Sequence, residues 1–359
     1  MLYLVVSDFH IGKGKFLRNG QLNILEDFFE DERFLEFCEF YSSGRNYLNP
    51  VHLVLGGDIL NLIQIDFDGV FSHIVDEQRT LHALNSVIKG HPLFIQALKK
   101  FLSAPQKKIT YVIGNHDAAM GFEVAQKRLQ EVVGDELRFC FEFVENGVHV
   151  EHGHRFEAIN TVPAQKYFLP GPGGRKILNL PWGSLFCIAV LPVLKKERPH
   201  IDKVRPVGAY IRWCFINDFA FFWRMLWLVI RYLVRTSFDD YTKQNRNFKT
   251  TFKLLKQITI YPFYGRKAKQ ILRKNPQIHT VVMGHTHMQE WRRYPEGKYY
   301  FNSGTWNEIP SMDAGMHDHF SKLTYVTVDV HVKSQTLQNA SLNTWQGKWR
   351  PFREEVSTN

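Results

Sequence analysis

The stretch "HTVVMGHTHMQEW", residues 279–291, decides how the chain is read. An apolar run from Thr280 to Met283 passes through Gly284 into His285 and His287, which are one residue apart. Such a run, bounded by a turn former, suits a strand buried on both faces. In extended chain, residues i and i+2 point to the same side. Two imidazoles are therefore aimed into one space at the end of a buried strand, and something must meet them there.

Four other runs share this form: "YLVVSDFH" (Tyr3 to His10), "HLVLGGD" (His52 to Asp58), "TYVIGNHD" (Thr110 to Asp117) and "VHVEHGH" (Val148 to His154). Between them lie helical patterns, Leu22 to Phe40 and Pro92 to Leu102. Strands alternating with helices predict an α/β layered core. Ligands of open α/β sheets gather outside the carboxyl ends of the strands, so five strand ends carrying Asp, Asn and His converge on one site. Taken singly, each motif has an ordinary explanation, since Gly-Asp is a common turn and a core histidine is often just hydrogen-bonded. The ordered series D-x-H, G-D, G-N-H-D, H-G-H, G-H-x-H does not.

Composition sets the frame. The 359 residues are 44% hydrophobic, enough for a large folded core. A net charge of +10 predicts an acidic partner: nucleic acid, anionic lipid or a phosphate-bearing substrate. Cys38, Cys140, Cys187 and Cys214 lie far apart and read as reduced, packed thiols of a cytosolic protein. "MLYLVV" has no basic segment before it and predicts a first strand, not a signal peptide.

In carrying these five motifs in this order, the chain resembles the calcineurin-like metallophosphoesterase family over roughly residues 1–154 and 279–306. The resemblance implies an α/β fold, a four-layer αββα sandwich, with a centre of two divalent ions. By motif, Asp8, His10 and His287 would hold one metal, Asn115, His152 and His285 the other, and Asp58 would bridge them. His116 is the candidate catalytic group at the phosphoryl oxygen or leaving group, and Asp117 beside it would orient that ring. His154 stands between ligand and support, and His317 and His319 lie outside the motif series. A donor set of Asp, Asn and His without thiolates favours Mn²⁺ or Fe²⁺ over structural Zn²⁺, with Mn²⁺ expected. Two such ions about 3.5–4 Å apart activate water and stabilise the leaving oxygen of an in-line attack at phosphorus.

The middle of the chain is different. These expectations divide it into a core of residues 1–170, an insertion of 171–277 and a second core part, 278–359. The insertion opens on the turn-rich "PGPGGRK". It continues through "LPWGSLFCIAVLPVLKKER" to "YIRWCFINDFAFFWRMLWLVIRYLVR", Tyr210 to Arg235, and the basic segment "YTKQNRNFK". Pro181, Pro192, Arg212, Asp218, Arg224 and Arg231 break both apolar stretches, too often for a span of about 20 residues. Arg224, Arg231 and Arg235 fall in one helical arc, which predicts a membrane-facing lid lying on a lipid surface. Here the chain resembles the UDP-2,3-diacylglucosamine hydrolases of lipid A synthesis, which carry a helical lid at this place. It departs from them at His116, where they have Arg, and at His154, where they have Asp.

That resemblance implies an acylated nucleotide-sugar substrate, cleaved to lipid X and UMP at the cytoplasmic, inner face of the membrane. The alternative is a nucleic-acid phosphodiesterase, which a long basic stripe over the core would mark; the sequence predicts no such stripe. A non-catalytic scaffold would show gaps in the ligand set, and all seven positions are filled.

Overall fold

In the computed structural model the described residues are 1–17, 19–67, 69–199, 201, 204, 207–238, 263–308, 323–348 and 352–358. The basic segment of residues 241–256, together with His317 and His319, lies outside them. The chain runs β1 (Leu2–Val6), α1 (Asp31–Ser42), β2 (Val51–Gly56), α2 (Glu77–Gly90), α3 (Pro92–Ser103), β3 (Lys107–Val112) and α4 (Glu123–Val133). It continues β4 (Arg138–Cys140), β5 (Phe143–Glu145), β6 (Val148–Val150), β7 (Phe168–Pro170), β8 (Lys176–Leu178), α5 (Trp182–Ala189), α6 (Leu191–Lys195), α7 (Val207–Asn217) and α8 (Phe219–Ser237). After these come α9 (Tyr264–Lys274), β9 (Thr280–Met283), β10 (Glu290–Tyr294), β11 (Lys298–Asn302), β12 (Thr324–His331), β13 (Thr336–Trp345) and β14 (Phe352–Ser357).

All five motif runs are strands, but they do not share one sheet. β1, β2 and β3 lie parallel in a seven-stranded sheet of order β14-β13-β12-β1-β2-β3-β4, while β6 and β9 lie parallel in a five-stranded sheet of order β10-β11-β9-β6-β5. Period two explains why the runs are continuously apolar. Tyr3, Val5, Val54 and Val112 face Val148, Val150, Val282 and Phe301 across a seam between the sheets. Their alternates Leu4, Val6, Leu53 and Leu55 face Phe34, Phe37, Leu84 and Leu98 of the helices behind. On the far side, Tyr264, Ala268 and Leu272 of α9 cover Val281, Met283 and Tyr300. The result is helices, sheet, sheet, helix: four layers. α9 falls within the stretch assigned to the insertion, yet it packs as the outer layer of the core.

The helical pattern from Leu22 is realised only from Asp31. Before it, the buried Glu26 carboxylate accepts hydrogen bonds from the backbone N–H of Gly12 (2.9 Å), Gly14 (2.8 Å) and Phe28 (3.2 Å). Those bonds hold residues 22–30 as a loop clamped onto the segment that follows His10, in competition with helix.

The described helices of the insertion are anchored on the core. Leu185, Ile188, Leu194 and Phe221 join the helix-side core, and the fully buried Lys195 ammonium pairs with Asp27 at 3.1 Å. α8 turns Phe221 and Tyr232 inward, and leaves Phe219, Trp223, Trp227, Ile230 and Val234 exposed along one stripe. Arg224, Arg231 and Arg235 are exposed too. No helix among the described residues is long and apolar enough to cross a membrane. Exposed basic residues also stand on the outer layer of the core. Arg266, Lys269, Arg273 and Lys274 of α9 are exposed, as are Arg292 and Arg293 of β10.

His91 locks the Glu26 loop. Its Nδ1 lies 3.0 Å from Asp31 Oδ1 and its Nε2 3.2 Å from Glu26 Oε2. Burial alone would lower its pKa, but the two carboxylates outweigh burial and push it up to about 9. A raised folded pKa stabilises fully below the unfolded value of about 6.5, and that contribution fades as pH rises through 9. His91→Gln is therefore expected to cost on the order of 3 kcal/mol at pH 6 and far less at pH 10. Denaturant unfolding at the two pH values measures it; equal losses would make His91 a packing residue only.

Candidate metal centre

The motif residues occupy the turns that leave the carboxyl ends of the strands. Nine non-glycine residues among those described have positive φ, and five of them are expected ligands: Asp8 (57°), His10 (51°), Asp58 (51°), His285 (70°) and His287 (60°). Left-handed backbone costs an L-residue roughly 1–2 kcal/mol, so its concentration at one place marks a site whose geometry outweighs stability. The motif glycines clear the space. A Cβ on Gly114 would sit 2.2 Å from Asp58 Oδ1, and one on Gly284 would sit 2.3 Å from Asp8 Oδ2.

Three sets of donor atoms lie within 4.8 Å of one another: Asp8, His10 and His287; His10, Asp58 and His116; Asp58, His152 and His285. His10 and Asp58 each belong to two of them, and Asp58 joins the set around His10 to the set around His152. The Nε2 atoms of His10 and His287 are 3.0 Å apart, and His287 Nε2 is 3.5 Å from Asp8 Oδ1. On the other side, His152 Nε2 is 3.0 Å from Asp58 Oδ2. His152 Nδ1 faces the Gly56 carbonyl at 3.2 Å, which leaves Nε2 for the site. The buried Asn115 Oδ1 has no hydrogen-bond partner, and His152 Nε2 meets only the Asp58 carboxylate. An orphaned buried acceptor beside buried carboxylates is what a divalent cation satisfies, so these residues fit the metal pair.

The electrostatics agree. Burial would raise the Asp8 and Asp58 pKa values; the facing imidazoles, His152 first, hold both below the usual carboxylate range. Conversely, burial would lower His152, yet Asp58 and Asp8 push it up to about 10. The carboxylates demand positive charge at this spot.

His116 enters the same space. Its backbone N–H donates to Asp58 Oδ1 at 2.8 Å, and its ring meets that of His10 edge-on, with centroids 4.5 Å apart. Its Nδ1 lies 3.0 Å from Asn61 Oδ1, an oxygen that can only accept, so Nδ1–H donates and Nε2 carries the lone pair. Burial pulls its pKa down to about 3, which keeps the ring neutral.

Asp117 does not orient this ring. Its carboxylate accepts from the Tyr111 hydroxyl (2.6 Å) and from the backbone N–H of Ile59 (2.9 Å) and Gly114 (2.6 Å). It braces the turns after β2 and β3 against each other, and Asn61 takes the role assigned to it. The signal for Asn61 was a lone amide inside the apolar run "ILNLI". His154 belongs to none of the three sets; its ring centroid lies 5.4 Å from that of His152.

Glu157 was missed altogether. Its Oε2 lies 2.9 Å from His285 Nε2. The same carboxylate accepts from Asn160 Nδ2 at 2.7 Å and from the Tyr264 hydroxyl at 2.8 Å. Burial would raise its pKa, but His285 and these donors hold it down at about 2.

No family model and no curated protein matches the chain. Among solved structures, wild-type Vps29 complexed with Zn²⁺ from Entamoeba histolytica overlays with a TM-score of 0.31 at 12% identity, covering 100% of each chain. A predicted phosphoesterase from Streptococcus pneumoniae overlays at 0.31 with 10% identity, covering 98% of this chain and 95% of that one. A dimetal phosphatase from Danio rerio gives 0.36 at 9% identity, covering 95% of each. Overlays this loose assign nothing; the side chains around Asp58 carry the reading.

If the left-handed turns serve the cations, relieving one should separate stability from binding. Asn visits that conformation with its short side chain hydrogen-bonded locally. His287→Asn is expected to melt no earlier than wild type without metal while losing one bound equivalent. Metal analysis and metal-free melting curves check both, and an early-melting variant that keeps two equivalents would refute the account.

Proposed function

We propose that the chain is a calcineurin-like phosphoesterase with a dinuclear metal centre, its two ions most consistent with Mn²⁺. The observation that carries this reading is the chain of three overlapping His/Asp sets, linked through His10 and Asp58, in which five residues have left-handed backbone. Asp8, His10 and His287 would hold one ion, and Asn115, His152 and His285 the other. Such ions, when bound, polarise a phosphoryl oxygen and acidify water for in-line attack.

The chain's own residues supply the rest. Asp58, pinned by the His116 N–H, would be held by both ions. His116 is neutral, with its Nδ1 proton committed to Asn61, so it offers Nε2 first as an acceptor and passes on a proton only after gaining one. At that position it serves the group leaving phosphorus. His116→Ala is expected to keep both metals and lose kcat by roughly 10²–10⁴-fold on bis(p-nitrophenyl) phosphate. Loss of a metal equivalent would instead make His116 a ligand.

For the substrate, the reading extends to a lipid-linked pyrophosphate, most specifically UDP-2,3-diacylglucosamine cleaved to lipid X and UMP at the cytoplasmic face of a membrane. The support is α8, whose outward stripe of Phe219, Trp223, Trp227, Ile230 and Val234 runs beside exposed Arg231 and Arg235. Each aromatic buried at an interface contributes about 1.5–3 kcal/mol, and each basic residue about 1 kcal/mol on anionic lipid. A second reading, a nucleic-acid phosphodiesterase, is favoured by the cluster of Arg266, Lys269, Arg273 and Lys274 with Arg292 and Arg293.

One variant separates the two. Trp223→Ser with Trp227→Ser is expected to release the protein from anionic liposomes and to raise KM for an acylated nucleotide sugar. Turnover of bis(p-nitrophenyl) phosphate is expected to stay within about twofold, because exposed substitutions cost little stability. Unchanged liposome binding, together with salt-sensitive cleavage of single-stranded DNA, would favour the nucleic-acid reading.

A further inference from the structure

His285 has a carboxylate on one of its ring nitrogens. Glu157 Oε2 sits 2.9 Å from His285 Nε2, and Glu157 is itself fixed by two further donors. Those donors come from opposite flanks of the insertion. Asn160 precedes it, and a Cβ on Gly183 in the first turn of α5 would sit 2.1 Å from Asn160 Oδ1. The Gly183 backbone N–H also donates to the Ile159 carbonyl at 2.8 Å. Tyr264 opens α9, the first described element after the insertion's remaining residues. One carboxylate thus joins a candidate ligand to both ends of the insertion.

We propose that Glu157 is a positioning residue for the metal position served by His285: it accepts a hydrogen bond from Nε2–H, fixes the tautomer that leaves Nδ1 free to coordinate, and couples that residue to the docking of the insertion through Asn160 and Tyr264. The inference rests on the dinuclear reading above. Its physical basis is general: a ligating histidine donates its other N–H to a carboxylate or carbonyl, and that partner orients the ring and raises its basicity. Of the site histidines, His152 uses the Gly56 carbonyl in this way, whereas His285 uses a charged group. A charged acceptor holds the tautomer more strongly than a neutral one.

The test is a Mn²⁺ titration of purified, metal-free protein, with free Mn²⁺ read by electron paramagnetic resonance. Wild type is expected to show two sites. Glu157→Gln is expected to weaken one of them by about 10–100-fold and leave the other unchanged. ¹⁵N chemical shifts of labelled histidine in metal-free protein should report His285 protonated on Nε2 in wild type and a tautomer mixture in Glu157→Gln. Tyr264→Phe, which removes one donor and keeps the carboxylate, should weaken the same site by a smaller factor, and it stands in if Glu157→Gln fails to fold. Equal weakening of both sites, no weakening in either variant, or an Nδ1–H tautomer in wild type overturns the proposal. A wild type that binds fewer than two Mn²⁺ overturns the dinuclear reading instead, so the two failures are distinct.

Discussion

Asp8 and Asp58 are buried carboxylates at the meeting of two sheets, exposed by 0% and 1%. Taking an ion of this size out of water costs several kcal/mol even after a protein relaxes around it, unless positive charge and hydrogen bonds meet it. The surroundings meet that demand. The His285 N–H donates to Asp8 Oδ2 at 2.9 Å, the His116 N–H to Asp58 Oδ1 at 2.8 Å, and the imidazoles of His10, His152 and His287 close the ring. Without a cation, the proton that Asp58 and Asp8 hold on His152 supplies charge. A divalent cation bound at the same place would supply more and displace that proton. Metal binding there would therefore be linked to proton loss.

The sandwich exists to bring these groups together. Asp8 and Asp58 follow strands of one sheet, and His152 and His285 follow strands of the other, so neither sheet alone holds a complete ligand set. The dry seam of Tyr3, Val5, Val54, Val112, Val148, Val150, Val282 and Phe301 fixes the distance between them. Interiors packed at crystal-like density do not flex continuously, which suits a site that needs donor atoms placed within tenths of an ångström. Left-handed backbone at five ligands is the local cost of that placement.

What the sequence revealed follows from which signals are periodic. The five motif strands were legible because a strand covered on both faces reads as an unbroken apolar run, and the polar residues ending it stand out. The division of those strands between two sheets was not legible, since nothing in a single run states its neighbours. Hydrogen-bond partners fared worst. Asp117 is adjacent to His116 in sequence, but its two oxygens turn to Tyr111, Ile59 and Gly114, while Asn61 reaches the ring from another loop. Glu157 was hidden for the same reason: its partners lie 3, 107 and 128 residues away. Likewise the Leu22 to Phe40 pattern has helical spacing, yet Glu26 gathers the backbone N–H groups of its own loop and delays the helix to Asp31.

The insertion shows how a surface and a site become one problem. α8 has already satisfied its structural need, with Phe221 and Tyr232 packed inward, and a helix so anchored requires nothing apolar on its outer side. Nevertheless Trp223, Trp227, Ile230 and Val234 continue there at helical spacing, with Arg231 stacked on Trp227 at 5.3 Å. Contiguous exposed apolar stripes of this kind mark contact surfaces, because in water they only add to the risk of aggregation. At its start, the same insertion is held by the buried pair Lys195 and Asp27 and by the contact of Gly183 with Asn160, one step from Glu157 and His285. The first turn of α5 thus packs within two residue contacts of a candidate metal ligand. Were a cation bound there and a partner on the stripe, any coupling between them would be reciprocal, each shifting the other by the same factor.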